Sequence, residues 1–219
     1  MSANFYIFDD LKNNVERTRE NPDAQYVGRW CDAWEVDRVN GESEKCPLCG
    51  RHVSTLKWLE PRKMRLTSTK YPDRLTTWLA EPMVVSKQVM EVYKQDQLTG
   101  IQEFIPIKVV RVARVREETP LLPEYFCGEI AFTTSVQIDL NNTKIDGQKC
   151  DWRCELCNPR GTTMDKISKL SLDTAKWDGD DVFKVYGLGA VVSQRFYDFV
   201  QKYNFTNFNL VSIEEYNRV

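Results

Sequence analysis

Residues 83–101, MVVSKQVMEVYKQDQLTGI, and residues 190–208, AVVSQRFYDFVQKYNFTNF, run in one register at an offset of 107 without a gap. Identities are few, but each stretch carries a complete helix grammar. Ser86 and Ser193 stand where an N-cap hydroxyl takes a backbone N–H that the first helical turn leaves orphaned. Val89, Val92 and Tyr93 then recur at helical spacing, as do Phe196, Phe199, Val200 and Tyr203, so each segment buries one face. Gly100 and Asn207, residue types that tolerate left-handed backbone, occupy the expected stop, and Ile101 and Phe208 supply the apolar residue after it.

Strands flank both helices in this reading. Leu75 to Leu79 precedes the first and Val182 to Tyr186 the second, both rich in β-branched and aromatic residues. Ile105, Ile107, Val109 and Val112 mark a strand after the first helix, and residues 209–213 a shorter one after the second. Residues 125–140, YFCGEIAFTTSVQIDL, read as further strand between the copies, bounded by Asn141 and Asn142. The unit is strand, capped helix, strand, met twice. No Gly/Ser-rich linker parts the copies. The expected fold is α+β: one compact domain over 1–219, with internally duplicated halves of about 1–112 and 113–219 packed about a pseudo-twofold axis.

Cys46-Pro-Leu-Cys49-Gly50 and Cys154-Glu-Leu-Cys157-Asn158 obey the same repeat, Cys46 and Cys154 lying 108 residues apart. A C-x2-C turn brings two thiolates to one side, and Gly50 or Asn158 relieves the backbone where it turns back. Two such knuckles form a tetrahedral site for one structural Zn2+. The 104 residues between Cys49 and Cys154 exceed the spacing of a compact zinc ribbon. A duplicated fold removes that objection, because equivalent knuckles meet at the axis. By analogy with a disulfide, closing a loop of that size is worth about 4–5 kcal/mol of chain entropy.

Other uses of the cysteines weigh less. A thioredoxin-like CxxC needs its first cysteine at a helix N-terminus after a strand, a context neither pair has. Two separate zinc sites would need further ligands from Cys31, Cys127, Cys150 or His52. Cys150 falls close to the second knuckle, yet only the two CxxC units share the repeat, so Cys150 is read as a neighbour of the site or a plain core residue. Cys127, in an apolar strand, is read as core.

Composition narrows the function. Of 219 residues, 30 are Lys or Arg and 32 are Asp or Glu, a net charge of −2 that argues against nucleic acid or anionic lipid as principal partner. Arg62, Lys63, Arg65 and Lys70 form one basic cluster near Trp58, read as a solvated face. No apolar run reaches the ~18 residues of a membrane span, and residues 1–14 lack the pattern of a signal peptide. A cytoplasmic protein is expected. His52 is the only histidine, and neither GxGxxG nor GxxxxGK[ST] occurs. A binding scaffold is therefore expected in place of an enzyme, with no catalytic residues.

The paired knuckles, the stretch from Met83 to Phe104 and the ending from Asp181 to Asn209 resemble the double-CXXCG motif proteins, a bacterial family that includes immunity proteins of polymorphic toxin systems. Asn158 departs from the family pattern, which has Gly there. The resemblance implies a small cytoplasmic antitoxin, monomeric when free, that neutralises a cognate toxin domain by direct binding without turnover. A zinc-ribbon adaptor or regulator contacting nucleic acid is the alternative. The partner-binding surface is not assigned; the acidic turn from Asp178 to Asp181 is one candidate.

Overall fold

The computed structural model describes residues 4–8, 32–67, 69, 71–77, 83–113, 122–139, 141–146, 154–157, 166–186 and 188–216. Among the described residues two short helices, α1 (Lys87–Gln95) and α2 (Gln194–Lys202), lie among many strands, an α+β architecture. Six strands close into a barrel in the order Asp32–Glu35, Lys63–Leu66, Ile101–Val112, Tyr125–Ile130, Met83–Ser86 and Arg74–Thr77. A separate five-stranded sheet runs Phe132–Thr133, Val182–Val185, Gly189–Ser193, Phe5–Phe8 and Leu210–Ser212. No helix among the described residues is long and apolar enough to cross a membrane.

Both helices start as the sequence dictates. Val89 N donates to Ser86 Oγ at 3.4 Å and Phe196 N to Ser193 Oγ at 3.2 Å. The Val-Val-Ser runs themselves are strands: each helix springs from the end of an antiparallel hairpin, in which Arg74 faces Val85 and Val182 faces Val192. Val84, Val85, Val191 and Val192 are fully buried, since the strand packs on both faces.

Helix termination differs from the expectation. The stops are Gln97 and Asn204, at φ 53° and 52°, three residues before Gly100 and Asn207. Leu98 N donates to Tyr93 O and Gln97 N to Lys94 O; Phe205 N donates to Val200 O and Asn204 N to Gln201 O. Each set is a Schellman motif, with Leu98 and Phe205 as its apolar lock. Gly100 and Asn207 are also left-handed but serve the next turn. At Gly100 a Cβ would lie 1.8 Å from Val182 O, so no side chain fits.

The helices share a core. Val85, Val89, Tyr93 and Leu98 pack in one cluster with Val192, Phe196, Phe199, Val200, Phe205 and Phe208. A second cluster, with Met64, Leu66, Leu75, Val84, Val109 and Cys127, fills the barrel. The 125–140 segment is not one strand: it breaks into Tyr125–Ile130, Phe132–Thr133 and Gln137–Ile138, with bends at 134–136 where Thr133 and Ser135 hydroxyls bond each other. The two sheets also cut across the sequence halves, because Phe5–Phe8 lies in the sheet of α2 and Tyr125–Ile130 in the barrel beside α1.

Candidate metal centre

Cys46, Cys49, Cys154 and Cys157 converge, their Sγ atoms all within 4.8 Å of one another. Cys46 Sγ lies 3.8 Å from Cys154 Sγ, and Cys49 Sγ lies 3.5 Å from Cys157 Sγ. Three of the four are buried and Cys49 is half-buried. Both separations are far beyond the ~2.05 Å of a disulfide. The arrangement is that of four free thiols close enough to coordinate one metal ion.

Local backbone builds the first knuckle. Lys45 pairs with His52 across an antiparallel bridge, Cys46 N donates to Arg51 O at 2.7 Å, and Gly50 N donates to Cys46 O at 2.8 Å. Gly50 closes that turn at φ 74° in open space, a conformation in which a side chain would be strained. Cys154 to Cys157 form a second turn. Val53, Leu156 and Tyr186 cover the cluster and exclude water from part of it.

Electrostatics suit a cation. Burial pushes the Cys154 thiol up, but the N–H groups of Cys157 and Leu156, joined by the neighbouring thiols, more than offset it and bring its pKa down to about 7. Burial first, then the crowding of Cys49, Cys46 and Cys154, holds the Cys157 thiol well above its ordinary value. One sulfur is thus ready to ionise, while a second thiolate beside it is repelled until positive charge arrives.

Other residues singled out in the sequence lie elsewhere. His52 is exposed and its Nδ1 bonds Ser43 Oγ. Cys127 sits in the barrel core, where burial pushes its thiol up to about 11 despite nearby Arg62. Cys31, Cys150, Asn158 and Lys70 fall outside the described residues. In the basic cluster Arg62 is buried and paired with Glu129, Lys63 pairs with Asp37 at 3.5 Å, and Arg65 is exposed.

The acidic turn is not uniformly a surface feature. Asp181 is 2% exposed; it accepts from Ser193 Oγ at 2.8 Å, Thr99 N at 3.0 Å and Arg195 Nη1 at 2.9 Å, so it is internal structure. Asp73 does the same work beside α1, accepting from Ser86 Oγ at 3.1 Å and Thr206 N at 2.9 Å. Sequence reasoning passed over Asp73 and read Asp181 only as part of an acidic surface turn. The signal was there: they are 108 residues apart, as Cys46 and Cys154 are.

The chain matches no protein-family model and no curated protein.

Proposed function

We propose that the chain is a zinc-stapled scaffold made of two like halves, which acts as a cytoplasmic immunity protein by binding and neutralising a bacterial toxin domain. The four-cysteine cluster carries the reading. A tetrahedron of sulfurs about 2.3 Å from zinc has edges of about 3.8 Å, and the 3.8 and 3.5 Å separations fit such a cage. An all-sulfur donor set with no open position belongs to a structural ion, and borderline-soft zinc is the divalent metal that prefers it.

Two-copy organisation is supported by how like meets like. Cys46 faces Cys154 and Cys49 faces Cys157, each pair 108 apart in sequence. Asp96 and Tyr203, the C-cap residues of α1 and α2, are 107 apart and bond each other through Tyr203 Oη at 3.1 Å. Self-paired equivalent residues are what a twofold axis produces. Zinc on that axis would tie the two halves together.

The toxin-binding reading rests on the double-CXXCG resemblance and on a thiolate site that offers a substrate no open coordination position. Co-expression with the toxin domain encoded beside this chain tests it. Protection of the cells and a stoichiometric complex on mixing support immunity; equal killing with and without the chain, and no complex, overturn it.

One observation favours the nucleic-acid alternative. On the barrel wall Lys63 faces Lys108 and Arg65 faces Arg111 across parallel strands, with exposed Trp34 opposite Arg65. Like charges placed in register invite an anionic partner, and an exposed ring offers a stacking surface. A log–log salt slope separates the readings, since phosphate contacts make affinity fall steeply with salt.

A further inference from the structure

The leading strands of the two halves lie in each other's sheets. Phe5–Phe8 runs antiparallel between Gly189–Ser193 and Leu210–Ser212, with Tyr6 facing both Val192 and Ser212. Tyr125–Ile130 runs antiparallel between Met83–Ser86 and Ile101–Val112, with Phe126 facing both Val85 and Pro106. Val85 corresponds to Val192 at the offset of 107, so Phe126 takes the place of Tyr6. Chain order makes the point. Phe5–Phe8 precedes the first knuckle and α1, yet it completes the sheet of α2. Tyr125–Ile130 precedes the second knuckle and α2, yet it completes the sheet of α1.

We infer that the two halves bind each other as like units by reciprocal strand exchange, so that the peptide joining them is a tether the fold does not need. The surface each half presents to the other is a slot between two strands, and its partner is the first strand of a like unit. An inserted middle strand satisfies backbone groups on both sides; without it two further edges would open in each sheet, one on either side of the slot.

Hydrogen bonds beside the slots are reciprocal as well. Asp73 accepts from Thr206 N and from Thr206 Oγ1 at 2.8 Å, while Asp181 accepts from Thr99 N and from Thr99 Oγ1 at 3.4 Å. Arg74 N donates to Thr206 O at 3.3 Å and Val182 N to Thr99 O at 3.1 Å. Residue i of one half meets j of the other, and i of the other meets j of the first, the pattern of an isologous interface. Even the side chains that flank the inserted strands follow it: Asn4 bonds Gln194, and Glu124 bonds Lys87.

The inference rests on the two-copy reading and is independent of any toxin. It is tested on the full chain, loaded with zinc, carrying a protease recognition sequence flanked by Gly and Ser between Glu117 and Glu118. After complete cleavage the two fragments should elute together at the volume of the intact chain and retain the metal. Separated in denaturant with chelator, then remixed with zinc, they should re-form that particle. Ile7→Asp, in the middle of an exchanged strand, should weaken recombination about 100-fold or more, whereas Val110→Asp on the exposed barrel wall should leave it within about threefold. Fragments that part while zinc is bound, or Ile7→Asp recombining as tightly as Val110→Asp, overturn the exchange. Thr99→Val and Thr206→Val, which remove equivalent hydroxyls, should weaken recombination to similar extents. A loss confined to one of them overturns the likeness of the units, and with it the two-copy reading, while leaving the strand order intact.

Discussion

Four neighbouring strands of the barrel and four of the open sheet can be laid side by side, and they differ in how they cover one face. Arg74–Thr77, Met83–Ser86, Tyr125–Ile130 and Ile101–Val112 follow one another in the barrel as Val182–Val185, Gly189–Ser193, Phe5–Phe8 and Leu210–Ser212 do in the sheet. Each series keeps one face against α1 and α2. On the other face Leu75, Val84, Cys127 and Ile107 line the barrel interior, while Phe183, Val191, Ile7 and Ile213 need an external cover. In the first case the 12-residue Ile101–Val112 strand runs on far enough for Lys63–Leu66 to pair with it and close the wall. In the second, the last strand has three residues, and Val136, Ile138 and Leu170 lie over the apolar face instead. The lesson concerns edges. Closure removes them, and where there is no closure the edge strands are only two and three residues long, too short to recruit another chain.

The cysteine cluster brings Cys46 and Cys49 together with Cys154 and Cys157 from far along the sequence, and breaking it should produce the largest effect. Cys46→Ser and Cys154→Ser should each abolish metal retention, read by elemental analysis. On the proposal that the ion is a structural zinc, each should also lower stability in urea unfolding steeply, since such an ion contributes an apparent ~10–16 kcal/mol at neutral pH in small zinc-finger domains. Cys127→Ser should keep the metal. A Cys46→Ser variant that loses zinc beside a Cys154→Ser variant that keeps it would end the idea of one shared site.

The next test separates closure from cover. Leu66 on the closing strand is 0% exposed and Leu170 over the open sheet is 2% exposed. Truncating either to Ala should cost about 2–5 kcal/mol in urea unfolding, the range for buried leucine. Their local signatures should differ. Leu66→Ala should lower amide protection at 63–66 and 108–112, Leu170→Ala at 182–185 and 189–193, and each should spare the other region. Equal loss in both regions would mean that barrel and sheet open as one body.

How much of this was readable in the sequence depends on range. Ser86, Ser193 and the helical stripes act within four residues, so their spacing exposes them. The cysteine pairs were legible because ligation demands a fixed residue type at fixed spacing. Closure was not, since it depends on Lys63–Leu66 reaching a strand some 40 residues away in parallel register, and nothing local marks that pairing. Phe5–Phe8 alternates buried and half-buried like any strand, but four residues beside Asp9 and Asp10 read only as a brief apolar run. The helix stops were misplaced for a different reason: Gln97 takes a left-handed conformation that its side chain disfavours, held there by the Schellman bonds and the Leu98 lock.

Caps compare the halves more finely. Ser193 is 2% exposed, and its bonds to Phe196 N and Asp181 are 3.2 and 2.8 Å, against 3.4 and 3.1 Å for half-buried Ser86 to Val89 N and Asp73. Ser193→Ala should therefore cost about 2 kcal/mol and Ser86→Ala about 1 kcal/mol in urea unfolding. A reversed order would place the stronger helix start beside the barrel. At the stops, Gln97→Gly should stabilise by about 0.5–1 kcal/mol, and Asn204→Gly by less, because Asn already tolerates that backbone. Unchanged stability in Gln97→Gly would remove the strain argument.

The smallest effect belongs to the point where the two helix ends touch. Asp96, the C-cap residue of α1, accepts from Lys202 Nζ at 2.9 Å and from Tyr203 Oη. The hydrogen bond from Lys202 is the main reason the Asp96 carboxyl lies below its ordinary 3.8. Bonds to Tyr203 and then Asp96 hold the Lys202 amine above its ordinary 10.5. The sign follows for each group. A lowered carboxyl pKa adds stability that is fully present above 3.8 and is lost as pH falls through the folded value; a raised amine pKa adds stability that is fully present below 10.5 and is lost as pH rises through the folded value. Asp96→Asn should thus lower the melting temperature slightly between about pH 4.5 and pH 10. The gap from the native chain should shrink below pH 3.8 and narrow in 1 M salt, since Lys202 is exposed and Asp96 only half-buried. A gap that persisted unchanged at pH 2.5 and in high salt would assign the loss to packing between the helix ends, and the contact would then be a steric one shared by the two halves.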